Sequence, residues 1–451
     1  MQDHQPLGAL RREFSDWRIW MSRALVVTAA VLAGLVVVAF TWLTEHAMAL
    51  FSRAFAQAWW EPLLLTPLCA VAIVWLTRRF APNAAGSGIP QVMAALEVPT
   101  DSPVRGKLVS IKLSAIKLLL TSWGGLAGLS LGREGPSVQI AAGVMAAVGR
   151  FLPRKSVMGE HGLLVAGGAA GIAAAFNTPL GGVMFAIEEL SRSPEKRSSG
   201  LLISGIVLAG LVSVSIQGNV TYFGVIHVAS LGWDALLPGL LVAVLAGVAG
   251  GLFSRLLIAS LSGRSSDVFS RLRARCPLLF AGLCGLAVAG IGVVTSGMTF
   301  GSGYTHTRTM LEGGASTPAI YVLLKFVATW LTSWSGVPGG IFAPSLAIGA
   351  ALGNDVAQLL QFPHLSMLIA LGMAGFLAAA TQAPLTSFII VMEMVDGHAM
   401  VLSLMACALV ASGISRLISR PLYGTLAQGY LARLEPVRPA QSEPDRATGS
   451  A

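Results

Sequence analysis

The sequence predicts an all-α, polytopic membrane protein, and three observations carry the prediction. Hydrophobic residues make up 54% of the 451 and charged residues only 11%, where a soluble domain carries about 25% charged residues. A hydrated surface needs more charge than this, whereas a lipid-facing one does not. The apolar runs are long and unalternating, as over 24–40, which suits helices and not the alternating strands of a β-barrel. The chain also resembles itself. "TSWGG" at 121–125 returns as "TSWSG" at 332–336, "GPSVQIAAGVMAAVG" is echoed by "APSLAIGAALG", and "AAAFNTPLGGVMFAIEEL" by "AAATQAPLTSFIIVMEMV". Three echoes in one order predict two structural repeats, about 60–200 and about 275–400.

The elements follow in order. Arg11, Arg12, Arg18 and Arg23 interleave with Trp17 and Trp20, which predicts a short interfacial helix on the cytoplasmic side. No cleavable secretory signal precedes the first apolar run. A first span is expected over 24–44 and a second over 62–76, closed by Arg78 and Arg79. A polar, glycine-bearing break follows. Further apolar runs cover about 108–131, 137–149, 162–187, 201–217, 235–260, 277–298, 317–333, 341–353, 365–380, 384–395 and 399–414. Several have only about 10 to 16 residues, against about 20 for a straight span. They are apolar all round, so they predict half-spanning or re-entrant helices that end at a midplane site. Residues 1–430 read as one transmembrane transport unit, and 431–451 as a short polar cytoplasmic tail.

Several functions are set aside at this stage. The net charge of +9 sits in short inter-span patches, a positive-inside pattern and not a nucleic-acid surface. Cys69, Cys276, Cys284 and Cys407 have neither metal-ligand nor disulfide-framework spacing. The histidines are scattered, so no metal is implied. No P-loop, dinucleotide fingerprint or hydrolase elbow is present, which argues against an enzyme, a cofactor or an ATP-driven pump. Lys112, Lys117 and Lys325 interrupt apolar runs and are expected to snorkel or to line an aqueous approach.

The chemistry lies at the breaks: "GSGIP" (86–90), "GREGP" (132–136), "GGIFAP" (339–344) and Tyr423 in "RPLYG". Glycine lets backbone approach a ligand, and proline suits the first turn of a helix. Each of the first three therefore opens a helix, whose N-terminus exposes unpaired N–H groups and a partial positive charge. Each glycine motif alone also suits close helix packing; the set favours an anion site without a lysine. A cation site would need carboxylates or carbonyl rings. These segments offer the hydroxyls of Ser87 and Tyr423 and the amides of Ile341 and Phe342 instead. Glu134 can compete with an anion for those donors and give way when protonated. Arg133 does not face it, since adjacent helical residues point apart; a carbonyl, a distant carboxylate or the aqueous vestibule is its expected partner. Glu188 and Glu189 end a helix before the basic "SRSPEKR" loop. They read either as proton collectors or as solvated acids. Glu393, the repeat mate of Glu188, is expected to be structural.

Together these motifs resemble the CLC family of chloride channels and chloride/proton antiporters, over about 20–430. The resemblance implies a homodimer with an ion pathway in each subunit, and about 18 helices per subunit in two inverted-topology repeats. It places Ser87, Tyr423 and the Ile341 and Phe342 amides around a chloride ion. It lines the pathway with Gly86, Gly88, Gly132, Arg133, Gly135, Gly339 and Gly340. It makes Glu134 the external gate and Glu189 the internal proton-transfer residue. Channel members of the family usually lack an acid at the Glu189 position, so chloride/proton antiport is the expected activity; a passive proton- or voltage-gated chloride channel is the alternative. Ser87 favours chloride over nitrate. The lean, tail-less form implies a bacterial inner membrane, with both termini cytoplasmic.

Overall fold

The computed structural model describes residues 17–99, 102–152, 158–191, 199–218, 221–226, 233–263, 267–313 and 317–434. Arg11, Arg12, most of the "SRSPEKR" loop and the tail beyond 434 lie outside them. Among the described residues there are nineteen α-helices and no strand, only two isolated β-bridges. They are α1 Trp17–Gln57, α2 Pro62–Phe80, α3 Ile89–Glu97, α4 Pro103–Leu108, α5 Ile111–Leu126, α6 Glu134–Val148, α7 Glu160–Phe176, α8 Pro179–Phe185 and α9 Ser199–Gln217. The chain continues with α10 Leu236–Leu261, α11 Val268–Arg275, α12 Pro277–Val294, α13 Tyr304–Leu311, α14 Ile320–Ser335 and α15 Phe342–Leu359. It ends with α16 Leu365–Thr381, α17 Pro384–Met394, α18 Val401–Ile418 and α19 Leu422–Leu434.

Six of these helices (α1, α2, α9, α10, α12 and α18) are long and apolar enough to cross a membrane. Two expectations about element boundaries need correction. The interfacial helix and the first span are one helix of 41 residues: no proline interrupts 17–57, and its first turns keep Trp17 and Trp20 exposed. The run 162–187 is also broken. Asn177 ends α7 in the left-handed region at φ 58°, and Pro179 then opens α8, because proline cannot continue the preceding ladder. Gln382 at φ 62° and Pro384 do the same between α16 and α17.

The short helices form the interior. From Gly162 to Phe176 on α7 and from Met367 to Thr381 on α16, every residue is buried. Helices α15 and α16 meet at Gly349 and Gly372, where a Cβ on either would strike the other's carbonyl oxygen. Small residues let the backbones touch where apolar burial gives no extra drive.

The two repeats are related by an inversion that specific bonds reveal. Helices α2 and α12 pack together, and Arg78 and Arg79 at the end of α2 share one cavity with Arg275, Cys276 and Pro277 at the start of α12. The two spans therefore run antiparallel. Glu188 accepts hydrogen bonds from the Leu385 and Thr386 amides, at 3.1 and 2.7 Å. Its mate Glu393 accepts from the Leu180 and Gly181 amides, also at 3.1 and 2.7 Å. Each repeat thus caps a helix of the other, the reciprocal pattern a two-fold produces. Glu188 is a cap and not a solvated acid, and Glu393 is structural as expected.

The buried lysines obey the same symmetry. Lys117 donates to the carbonyls of Ala84 and Gly86, and Lys325 to those of Thr299 and Gly301. Both are fully buried and neither snorkels nor lines an aqueous approach; Lys112 alone is exposed. The carbonyls compensate for lost hydration. They also expose a repeat the sequence reading missed: "GSG" at 301–303 is the mate of "GSG" at 86–88.

Glu393→Gln replaces a carboxylate on two amides with a neutral amide. It should lower stability by about 1–2 kcal/mol and reduce the melting temperature in detergent; an unchanged melting temperature would remove the capping role.

Candidate ion-binding site

Three of the four motifs are tied together by backbone bonds. Gly86 donates to Val337 at 3.3 Å and accepts from Gly339 at 3.1 Å. Gly132 and Gly340 exchange both bonds, at 2.8 and 2.7 Å. "GSGIP", "GREGP" and "GGIFAP" therefore converge, and they open α3, α6 and α15 respectively. Glycine is required twice over. Gly88, the residue before α3, takes φ 109°, a conformation other residues rarely adopt. A Cβ at Gly135 would collide with the Ser87 hydroxyl. Three helix N-termini thus direct their partial positive charge at one region.

Glu134 is the first residue of α6 and is fully buried. Its Oε2 accepts a hydrogen bond from the Ala343 amide at 3.4 Å, and its Oε1 has no partner. The carboxylate thus sits on the N-terminus of α15, as an anion would. Ile341 and Phe342 are both buried at the start of that helix. The donor that holds Glu134 is one residue further on, in the same motif; Ala343 was missed because a backbone donor leaves no side-chain signature.

Ser87 Oγ and Tyr423 OH are likewise buried, within reach of one another and with no other hydrogen-bond partner among the described residues. Buried polar groups are normally fully satisfied, so these incompletely satisfied ones beside converging helix ends suit a polar guest. The Tyr423 ring stacks on Phe342 at 6.1 Å between centroids, and Phe342 also meets Phe176 and Phe185. That packing fixes where the hydroxyl can point. Glu189 lies half-buried in a π-helical turn, Ala186–Leu190. The structure therefore brings Ser87, Glu134, Phe342 and Tyr423 to one neighbourhood.

Two cavities approach this neighbourhood and share no lining residue. One, of about 720 Å³, reaches Ser87, Ile341 and Tyr423 past Arg273, Arg420 and Arg433. The other, of about 260 Å³, reaches Glu134 past Glu45, Arg133, Tyr222 and Tyr304. Glu134 therefore lies at the inner limit of one cavity, with the hydroxyls at the limit of the other. Arg133 meets a distant carboxylate, one of its expected partners: its Nη1 pairs with Glu45 Oε1 at 2.8 Å, and its Nη2 donates to the Tyr222 hydroxyl at 3.2 Å.

Comparison with known proteins agrees with this geometry. The family model described as "Voltage gated chloride channel" matches residues 69–416. The H(+)/Cl(-) exchange transporter ClcA of Klebsiella pneumoniae is 32% identical over 448 residues, covering 93% of this chain and 92% of the relative. ClcA of Cronobacter sakazakii is 32% identical over 446 residues, with coverage of 93% and 92%. Among solved structures, a slow cyanobacterial Cl-/H+ antiporter superposes with a TM-score of 0.78 at 27% identity, covering 91% of this chain and 98% of that one. A CLC-type fluoride/proton antiporter shares the fold, with a TM-score of 0.74 at 24% identity over 91% and 98% of the two chains. On the strength of its converging helix ends, its repeats and these likenesses, the chain belongs to the CLC family of voltage-gated chloride channels and antiporters.

Proposed function

We propose that the protein exchanges chloride for protons across the membrane, with Glu134 as external gate and Glu189 as internal proton-transfer residue. One observation carries the reading: the Glu134 carboxylate rests on the N-terminus of α15, whose first residue, Phe342, stacks on Tyr423, the buried hydroxyl that would hold an anion. The relatives named as chloride/proton exchangers support it.

Charge asymmetry supports an assignment of sides. Arg78, Arg79, Arg273, Arg275, Arg420 and Arg433 gather at and around the large cavity, which is the cytoplasmic face by the positive-inside pattern. Arg23 lies 22 residues before Glu45 on α1, about 33 Å along a helix, so the start of α1 belongs to the same face. Arg433 near the end of α19 lines the large cavity too. Both termini are accordingly cytoplasmic, in a bacterial inner membrane, and the protein works as a homodimer as its family resemblance implies.

The mechanism follows from competition. Ionised, Glu134 occupies the electropositive helix ends and closes the outer side. A proton removes its charge and its preference for those donors. Chloride, arriving past the inner arginines and held by Ser87, Tyr423 and the Ile341 and Phe342 amides, moves into the vacated position. Partial charges and hydroxyls bind it weakly enough to release it. Glu189 exchanges protons with the cytoplasm, so each outward or inward proton step depends on which species holds the site.

Proteoliposomes under opposed chloride and proton gradients test this. Chloride-driven uphill proton movement is the expected result; a reversal potential indifferent to pH would show a passive channel instead. Within the site, Tyr423→Ala removes a hydroxyl donor to a charged ligand, worth about 1.5–3 kcal/mol. Chloride affinity by calorimetry should fall by at least about tenfold, and an unchanged affinity would exclude Tyr423 as a ligand.

A further inference from the structure

The outer cavity holds a feature that the exchange cycle above does not use. Glu45 projects from α1, and its side chain is 56% exposed, yet it pairs with an Arg133 side chain only 8% exposed. The guanidinium is held on two further sides by Tyr222: it donates to the hydroxyl and lies 5.6 Å over the ring. Tyr222 is held in turn by Tyr304, whose hydroxyl donates to the Tyr222 carbonyl at 2.9 Å. All four residues line the same cavity as Glu134. Among the described residues, Arg133 forms an ion pair with Glu45 and none with Glu134.

We infer that Glu45 is a positioning residue for the gate: it balances the Arg133 charge beside Glu134 and so sets the external pH at which the gate opens. The physical argument is direct. Arg133 and Glu134 are chain neighbours in a buried setting, where charges act strongly on one another. An uncompensated guanidinium would favour the ionised, site-occupying form of Glu134. Glu45 cancels that field from across the vestibule. The other ionisable groups around Glu134 cannot substitute. Tyr222, Tyr304 and Tyr423 offer hydroxyls and no carboxylate to set against the Arg133 charge. Lys325 is spent on carbonyls behind the Gly301 loop. Arg308 pairs with Glu312 and donates to the Tyr304 hydroxyl. His46, next along α1, bonds back to the Trp42 carbonyl and does not line the cavity.

This inference rests on Glu134 being the gate, and the experiment separates the two. Chloride flux into proteoliposomes is measured as a function of external pH. In the unaltered protein flux should rise with acidity, and Glu134→Gln should abolish that dependence; if it does not, the gate reading fails. Given that it does, Glu45→Gln should move the midpoint to lower pH by about one unit, the scale of one nearby charge. Arg133→Gln should move it to higher pH. The double variant Glu45→Gln with Arg133→Gln should return close to the parent midpoint, because the local charge is again balanced. Tyr222→Phe, which alters the anchor but not the charge, should leave the midpoint in place. An unshifted midpoint in Glu45→Gln, or a double variant that stays acid-shifted, would overturn the inference while leaving the gate intact. Loss of flux at every pH without a shift would mark Glu45 as merely structural, and would overturn it equally.

Discussion

Glu134→Gln is expected to abolish proton coupling while chloride continues to cross. The substitution keeps the shape of the side chain and removes its charge. A neutral amide has no reason to hold the N-terminus of α15 in preference to chloride, so the outer side stays open to the ion. It also cannot carry a proton in and out. Chloride-driven proton movement should fall by at least about a hundredfold, equivalent to about 2.7 kcal/mol, and the pH dependence of chloride flux should disappear. Simultaneous recording of both ions in one vesicle preparation makes the result unambiguous. Uphill proton movement that survived the substitution would end the gate assignment.

Glu189→Gln has the second largest expected effect, and it acts on one ion only. Glu189 sits in a π-helical turn at the end of α8, a break in regular geometry of the kind frequent at functional sites. Its near neighbour Glu188 is engaged by two amides of α17 and caps that helix. Removing its charge should reduce proton flux by about a hundredfold or more and leave chloride flux close to normal, since the inner cavity is lined by Ser87, Tyr423 and arginines and not by Glu189. Unchanged proton flux would remove Glu189 from the path. The two variants differ in a further way: chloride flux in Glu189→Gln should keep its dependence on external pH, because the gate remains titratable.

The glycine–proline breaks could be recognised one by one because helix N-termini follow local rules. Gly88 before α3, Glu134 opening α6 and Phe342 opening α15 each sit where the motif predicts. The paired echoes at Pro179 and Pro384 pointed to two structural repeats for the same reason: a repeat copies its local chemistry. The run at 162–187 misled, because hydropathy does not register a single left-handed residue such as Asn177.

The lysines misled for a different cause. A charge inside an apolar run looks like an approach to water until the carbonyls that solvate it are known. Those carbonyls come from loops 31 and 24 residues away for Lys117 and Lys325. Likewise the partner of Arg133 stands 88 residues off, and the amide that holds Glu134 stands 209 residues off.

Composition and breaks were therefore enough to establish a polytopic helical membrane fold, and the repeated motifs to point to the residues proposed for its anion site. Each of these depends on lipid exposure or on the first turn of a helix, properties written within a few neighbouring residues. Only the folded chain decided which charges compensate one another: Arg133 with Glu45, Glu188 with α17, Glu393 with α8. Electrostatic pairing acts through space, and no local period in a chain records which distant segment will arrive within hydrogen-bonding distance.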